Sequence, residues 1–137
     1  MTLDLPDGAL LLIDSAPIIY VLEDNPTFKP RFQPLFDAHA EGRLEFATTT
    51  IVLAEVVAGP LKCGDEAGAR RTRAILETWR LVPVDADVAE SAARLRVSLN
   101  LKLTDAIQAA AALAINADAI VTHDRDFSRV KTIRVIS

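Results

Sequence analysis

The chain has 137 residues, half of them hydrophobic and a quarter charged, with 5 glycines and 7 prolines, a composition that excludes disorder and fits one domain over residues 1–137, burying roughly two thirds of its unfolded surface. A single cysteine, Cys63, excludes an internal disulfide and a zinc–thiolate cluster. Residues 1–7 are acidic rather than a basic leader, and the apolar run after them is too short to span a bilayer, so the expectation is a cytoplasmic protein without membrane contact.

In chain order, residues 9–13 form a continuous apolar run of strand length, and Ser15-Ala16-Pro17 reads as a helix start capped by Ser15. Residues 30–42 are helical in pattern and 44–47 form a short second strand. Residues 48–50 supply caps for a helix that should stop at Gly59-Pro60. A helix over 65–79, carrying Arg70, Arg71 and Arg73, leads to a third strand at 81–84. Asp87 with Glu90 resembles a capping box for a helix running to Leu99. Thr104 caps an Ala-rich helix through Ile115, which Asn116 ends; strands follow at 119–122 and 133–136. Strands alternating with helices imply an α/β fold, a parallel sheet of four to five strands covered by helices on both faces.

Three nearly apolar stretches each contain one carboxylate: Asp14 in 8–22, Glu55 in 46–61 and Asp105 in 103–117. An isolated ionised acid removed from water costs several kcal/mol or more, so each needs a hydrogen-bond partner, an opposite charge or a metal. No basic residue lies in those segments. A fourth acid, Asp124, follows the apolar run Ala119-Ile120-Val121. Asp14 and Asp124 sit at strand ends, where parallel sheets bind ligands at the switch in strand order, and Glu55 and Asp105 lie on helices able to face the same crevice. Four acids that meet there require a cation. The net charge of −4 argues against a polyanionic partner only until those four are set aside, which leaves 15 basic residues against 15 acidic, and bound cations reverse the local field.

Other chemistries lack support. His39 falls on a helix expected to be exposed, and His123 has no second His or Cys at zinc-ligand spacing. Asp85, Asp87 and Glu90 read as helix-start residues, and the Arg70, Arg71 and Arg73 trio as a solvated face. No serine occupies a glycine-flanked elbow, and no Gly-rich phosphate loop is present.

Leu12-Ile13-Asp14-Ser15, Glu55 after a Thr-rich helix entry, Thr104-Asp105-Ala106-Ile107-Gln108-Ala109 and Val121-Thr122-His123-Asp124-Arg125-Asp126-Phe127 together resemble, in order and spacing, the PIN domain of VapC-type toxin ribonucleases. The similarity covers essentially the whole chain. It implies a PIN-like three-layer sandwich with Asp14, Glu55, Asp105 and Asp124 as the acidic quartet. Asp14, Asp105 and Asp124 would be metal ligands, and the hydroxyls of Ser15 and Thr122 would orient a ligand or a water. His123 stands where the family commonly has Asn, and Asp126 is a competing acid.

Hard carboxylate oxygens without His or Cys suit Mg²⁺ or Mn²⁺, and metal-assisted phosphodiester hydrolysis is the matching chemistry. The resemblance further implies an RNA substrate, a homodimer and a small VapB-like antitoxin. Alternatives of other kinds are a non-catalytic PIN-like binding module and a housekeeping RNA-processing nuclease. A dehalogenase-like domain needs a second Asp two residues after Asp14, where this chain has Ala16.

Overall fold

The computed structural model describes residues 4–137, and Met1–Leu3 of the acidic stretch noted above lie outside the described residues. Strands β1 (Ala9–Ile13), β2 (Leu44–Thr49), β3 (Arg80–Val82), β4 (Ala119–Val121) and β5 (Arg134–Ile136) form one sheet in the order β3-β2-β1-β4-β5, every neighbouring pair parallel. From β1 the chain builds β2 and β3 on one side, then crosses to place β4 and β5 on the other. The strand order therefore switches between β1 and β4, where Ile13 pairs with Val121.

The helices are α1 (Ser15–Leu22), α2 (Lys29–Ala40), α3 (Thr50–Lys62), α4 (Glu66–Glu77), α5 (Ala86–Leu99) and α6 (Leu103–Ala114), with a 3-10 helix at Arg125–Arg129. The side-chain alternation of β1 shows why both sheet faces need covering. Leu11 and Ile13 pack with Ile18, Phe32, Leu35, Val52, Val56 and Leu76 of α1 to α4, whereas Leu12 packs with Val88, Ala92, Ala106, Ala109 and Phe127 of α5, α6 and the 3-10 helix. The result is three layers with an apolar core on each side of the sheet. Successive alanines of α6, from Ala109 to Ala112, are buried, and their small size lets that helix lie close to α5 and the sheet.

Several boundaries differ from the sequence expectation, each for a local reason. Asp14, not Ser15, is the cap of α1, its carboxylate accepting from the Ser15 N–H at 2.9 Å. Helix α3 passes through Pro60 to Lys62, since the proline removes only one late helical hydrogen bond; the helix stops where Gly64 adopts φ +71 and the Asp65 N–H reaches the Pro60 carbonyl at 2.9 Å. Asp85 rather than Asp87 caps α5, accepting from the Val88 N–H at 2.9 Å. Lys102 occupies the cap position of α6 without a side-chain cap, and Thr104 lies inside the first turn. His39 is half-buried rather than exposed: its ring stacks on Phe46 at 4.1 Å, and its Nδ1 lies 3.1 Å from the Leu44 carbonyl oxygen.

Candidate active site

All four acids singled out from the sequence line one cleft of about 590 Å³ at the switch in strand order, together with Ser15, Tyr20, Lys102, Thr104, His123 and Arg125. Strand β1 delivers Asp14 at its carboxyl end, and the loop after β4 delivers Asp124. Helices α3 and α6 carry Glu55 and Asp105 in from the two opposite layers. The acids do not share one environment. Asp105 is buried at 5% exposure, Asp14 and Asp124 are half-buried, and Glu55 is exposed. Val52 and Val56 of α3 face the core, while Glu55 of the same helix turns to the cleft.

Asp14 is held from three sides. Its Oδ1 accepts from the Ser15 N–H at 2.9 Å and from Gln108 Nε2 at 3.4 Å, and its Oδ2 accepts from the Thr122 hydroxyl at 2.8 Å. The same Thr122 oxygen accepts from the Asp124 N–H at 3.0 Å, so this hydroxyl fixes the two strand-end acids relative to each other. Gln108 is fully buried, and its Oε1 accepts from the Thr49 hydroxyl at 2.5 Å. Thr49 in turn caps α3 through the Val52 N–H. A buried chain of polar groups therefore connects the start of the Glu55 helix, the Asp105 helix and Asp14. A buried polar side chain is costly unless satisfied, and the lone amide within the Ala-rich segment was the available sequence signal for Gln108.

Lys102 is the other residue that sequence reasoning missed. Its Nζ lies 2.7 Å from Asp124 Oδ2 and 3.7 Å from Asp105 Oδ2, supplying one positive charge to that half of the cleft. Asp126 lies outside the cleft lining, yet one of its carboxylate oxygens lies within 4.8 Å of oxygens of Asp105 and Asp124. It also approaches Arg129 at 3.6 Å. Asp124 caps the 3-10 helix by accepting from the Asp126 N–H at 2.9 Å.

Crowding sets the protonation of the acids. Burial, followed by a proton shared with Asp124 and by the Asp124 charge, pushes Asp105 up to about 7. Burial outweighs the hydrogen bonds to Asp14 and raises its pKa, with the Asp124 charge adding to the effect. Glu55 is raised by partial burial and by Asp14. Asp124 goes the other way: burial opposes its ionisation, but the Lys102 hydrogen bond and the Asp126 N–H together hold it below the usual carboxylate range.

The donor set fits a divalent cation. Asp105 Oδ2 is buried with no hydrogen-bond partner, an oxygen that a cation in the cleft would satisfy, and oxygen-only ligands are those that Mg²⁺ and Mn²⁺ prefer.

A sequence profile of the PIN domain matches residues 11–133. The chain belongs to the PIN-domain family. The five-stranded parallel sheet with its six helices is the PIN-like fold seen in VapC structures. A toxin–antitoxin complex from Klebsiella pneumoniae is 26% identical over 93% of this PIN domain and 96% of that chain, with a TM-score of 0.73. VapC20 of Mycobacterium tuberculosis, described as a Sarcin-Ricin loop cleaving toxin, is 20% identical with a TM-score of 0.74 over 93% and 99% of the two chains. VapBC2 from Rickettsia felis, bound to a promoter DNA fragment, is likewise 20% identical, with a TM-score of 0.71 over 92% and 96%. No curated protein matches the chain. Among the described residues, no helix is long and apolar enough to cross a membrane.

Proposed function

We propose that this PIN domain is a Mg²⁺- or Mn²⁺-dependent endoribonuclease and the toxin of a type II toxin–antitoxin pair, acting in the cytoplasm as a homodimer neutralised by a VapB-like antitoxin. The observation that carries the nuclease reading is the convergence of Asp14, Glu55, Asp105 and Asp124 on one cleft, with a buried Asp105 oxygen that accepts no hydrogen bond. The toxin reading is supported by the similarity to a toxin–antitoxin complex across nearly the whole chain and by the fold shared with a Sarcin-Ricin loop cleaving toxin.

Asp14, Asp105 and Asp124 would hold the cation, with Asp126 close enough to assist. When bound, such a cation offers Lewis-acid stabilisation of a phosphodiester and lowers the pKa of water. Thr122, Gln108 and the Ser15 N–H keep Asp14 oriented before substrate arrives, which reduces the reorganisation needed during reaction. Glu55, exposed to the cleft and with a raised proton affinity, would accept a proton from an attacking water.

The test is cleavage of RNA by the purified chain with Mn²⁺, by the Asp14→Asn variant and with chelator. Parental cleavage that is lost in the last two supports the assignment, and parental-rate cleavage by Asp14→Asn overturns it. One observation favours a second reading, a binding module in which the acids grip a partner's cationic side chain: the Lys102 ammonium already bridges Asp124 and Asp105. Absence of cleavage alongside tight antitoxin binding would select that reading.

A further inference from the structure

A second cavity of about 390 Å³ adjoins the acid cleft, sharing His123, Asp124 and Arg125 with it and adding Arg31 and Ser128. It brings two arginines, Arg31 and Arg125, to the edge of the acid cleft, in a lining that also holds Asp124 and Ser137. Among the described residues, neither Arg31 nor Arg125 pairs with a carboxylate, whereas Arg43, Arg71, Arg73, Arg94 and Arg129 do. Arg129, on the same 3-10 helix as Arg125, is committed to Asp126 at 3.6 Å and to the Asn100 carbonyl at 2.8 Å. Arg31 is steadied by its own neighbour, its guanidinium carbon 5.9 Å from the Phe32 ring centroid. The acid shared by the two cavities, Asp124, is already bonded to Lys102 at 2.7 Å. Two uncommitted guanidinium groups therefore abut a carboxylate cleft in a chain of net charge −4.

His123 stands where the two cavities meet. Its Nδ1 lies 2.8 Å from the Tyr20 hydroxyl, and its ring packs on Phe28 at 4.7 Å and edge-on to Tyr20 at 5.5 Å. Nδ1 is engaged by Tyr20, and Nε2 has no protein partner among the described residues; in the tautomer in which the Tyr20 hydroxyl donates to Nδ1, Nε2 carries the proton and faces a ligand as a donor.

We propose that Arg31, Arg125 and His123 form a subsite for the phosphodiester next to the one being cut, so that a single-stranded RNA runs from the acids into the second cavity. The inference rests on the nuclease reading above and deepens it. A cleft of carboxylates receives one phosphate only through bound cations and repels the next. Planar guanidinium forks match phosphate oxygens bidentately and hold the flanking residue of the strand without reading its base.

The experiment uses Arg31→Gln, Arg125→Gln and their combination, with Arg70→Gln on the exposed face of α4 as control. Binding of a labelled mixed-sequence single-stranded RNA of about 12 nucleotides is measured in the Asp14→Asn background, and cleavage in the otherwise unaltered chain. Each cleft variant should weaken RNA binding about 5–10-fold whatever the sequence and lower the slope of log affinity against log salt by about 0.7. In cleavage, KM should rise more than kcat falls, while Mn²⁺-induced thermal stabilisation persists. Parental RNA affinity and salt slope in both variants of a chain that cleaves RNA would overturn the subsite and leave the nuclease reading standing. The same holds if only antitoxin binding is lost. A parent chain that neither binds nor cleaves RNA overturns the nuclease reading itself.

Discussion

Replacing Asp105 by Asn should stabilise the metal-free protein while removing its response to metal. The carboxyl of Asp105 is buried at 5% exposure, has an oxygen that accepts no hydrogen bond and is pushed from 3.8 up to about 7, by burial first and Asp124 second. A folded-state pKa above the unfolded one means that the folded protein binds the proton more tightly. The associated stability is complete below about 4 and lost as pH rises through about 7. At about 1.4 kcal/mol per pH unit, the ceiling on that loss is on the order of 4 kcal/mol, and solvent in the open cleft lowers it to about 1–2 kcal/mol. The Asn amide can still donate to Asp124 but never ionises. At about pH 8 with chelator, Asp105→Asn should therefore unfold about 3–8 °C above the parent, the gap closing toward pH 4. Mn²⁺ should raise the parent's Tm and leave the variant's almost unchanged. A variant less stable than the parent at pH 8, with the parental pH profile, would refute the account of Asp105 as a strained acid awaiting a cation.

Three further outcomes test the rest of the site. Asp124→Asn should cut single-turnover RNA cleavage about 100-fold or more with little change in urea stability, since Asn caps the 3-10 helix about as well as Asp; Asp126→Asn, outside the cleft lining, should change it less than about 5-fold, and the opposite ranking would give Asp126 the fourth acid's role. Gln108→Leu leaves Asp14 without its amide donor and Thr49 without its acceptor, and should cost about 1–3 kcal/mol in denaturant unfolding and lower kcat more than it raises KM; an unaltered kcat would reduce Gln108 to packing. Lys102→Met removes the ammonium that competes for Asp105 and Asp124, so calorimetry should show Mn²⁺ binding about 3–10-fold tighter; equal or weaker binding would mean that Lys102 does not occupy the cation's place.

The strands were legible because a parallel sheet covered on both faces leaves short continuous apolar runs, and 9–13 and 44–47 stand out as such. Their order was not, since periodicity identifies elements but not neighbours, and only the pairing of β1 with both β2 and β4 shows where the crevice opens. Caps shifted by a residue or two at Asp14, Asp85 and Lys102, because adjacent Ser, Thr and Asp residues are all competent caps and the backbone chooses among them. Asp14, Glu55 and Asp105 could be found as lone charges in apolar stretches and Asp124 by its place after an apolar strand, but not their different burial: apolar residues flanking Glu55 on a helix do not say which side it faces. Lys102 escaped notice because it precedes the apolar segment by one residue, yet the helical spacing of three brings its ammonium over Asp105.

The two acids at the strand ends also begin helices, Asp14 opening α1 and Asp124 the 3-10 turn. Aspartate and asparagine serve that architectural duty equally well, and their codons differ by one base. On the nuclease reading proposed above, a single base transition at either position would therefore remove a site carboxylate while leaving the helix start, and the folded surface around it, in place.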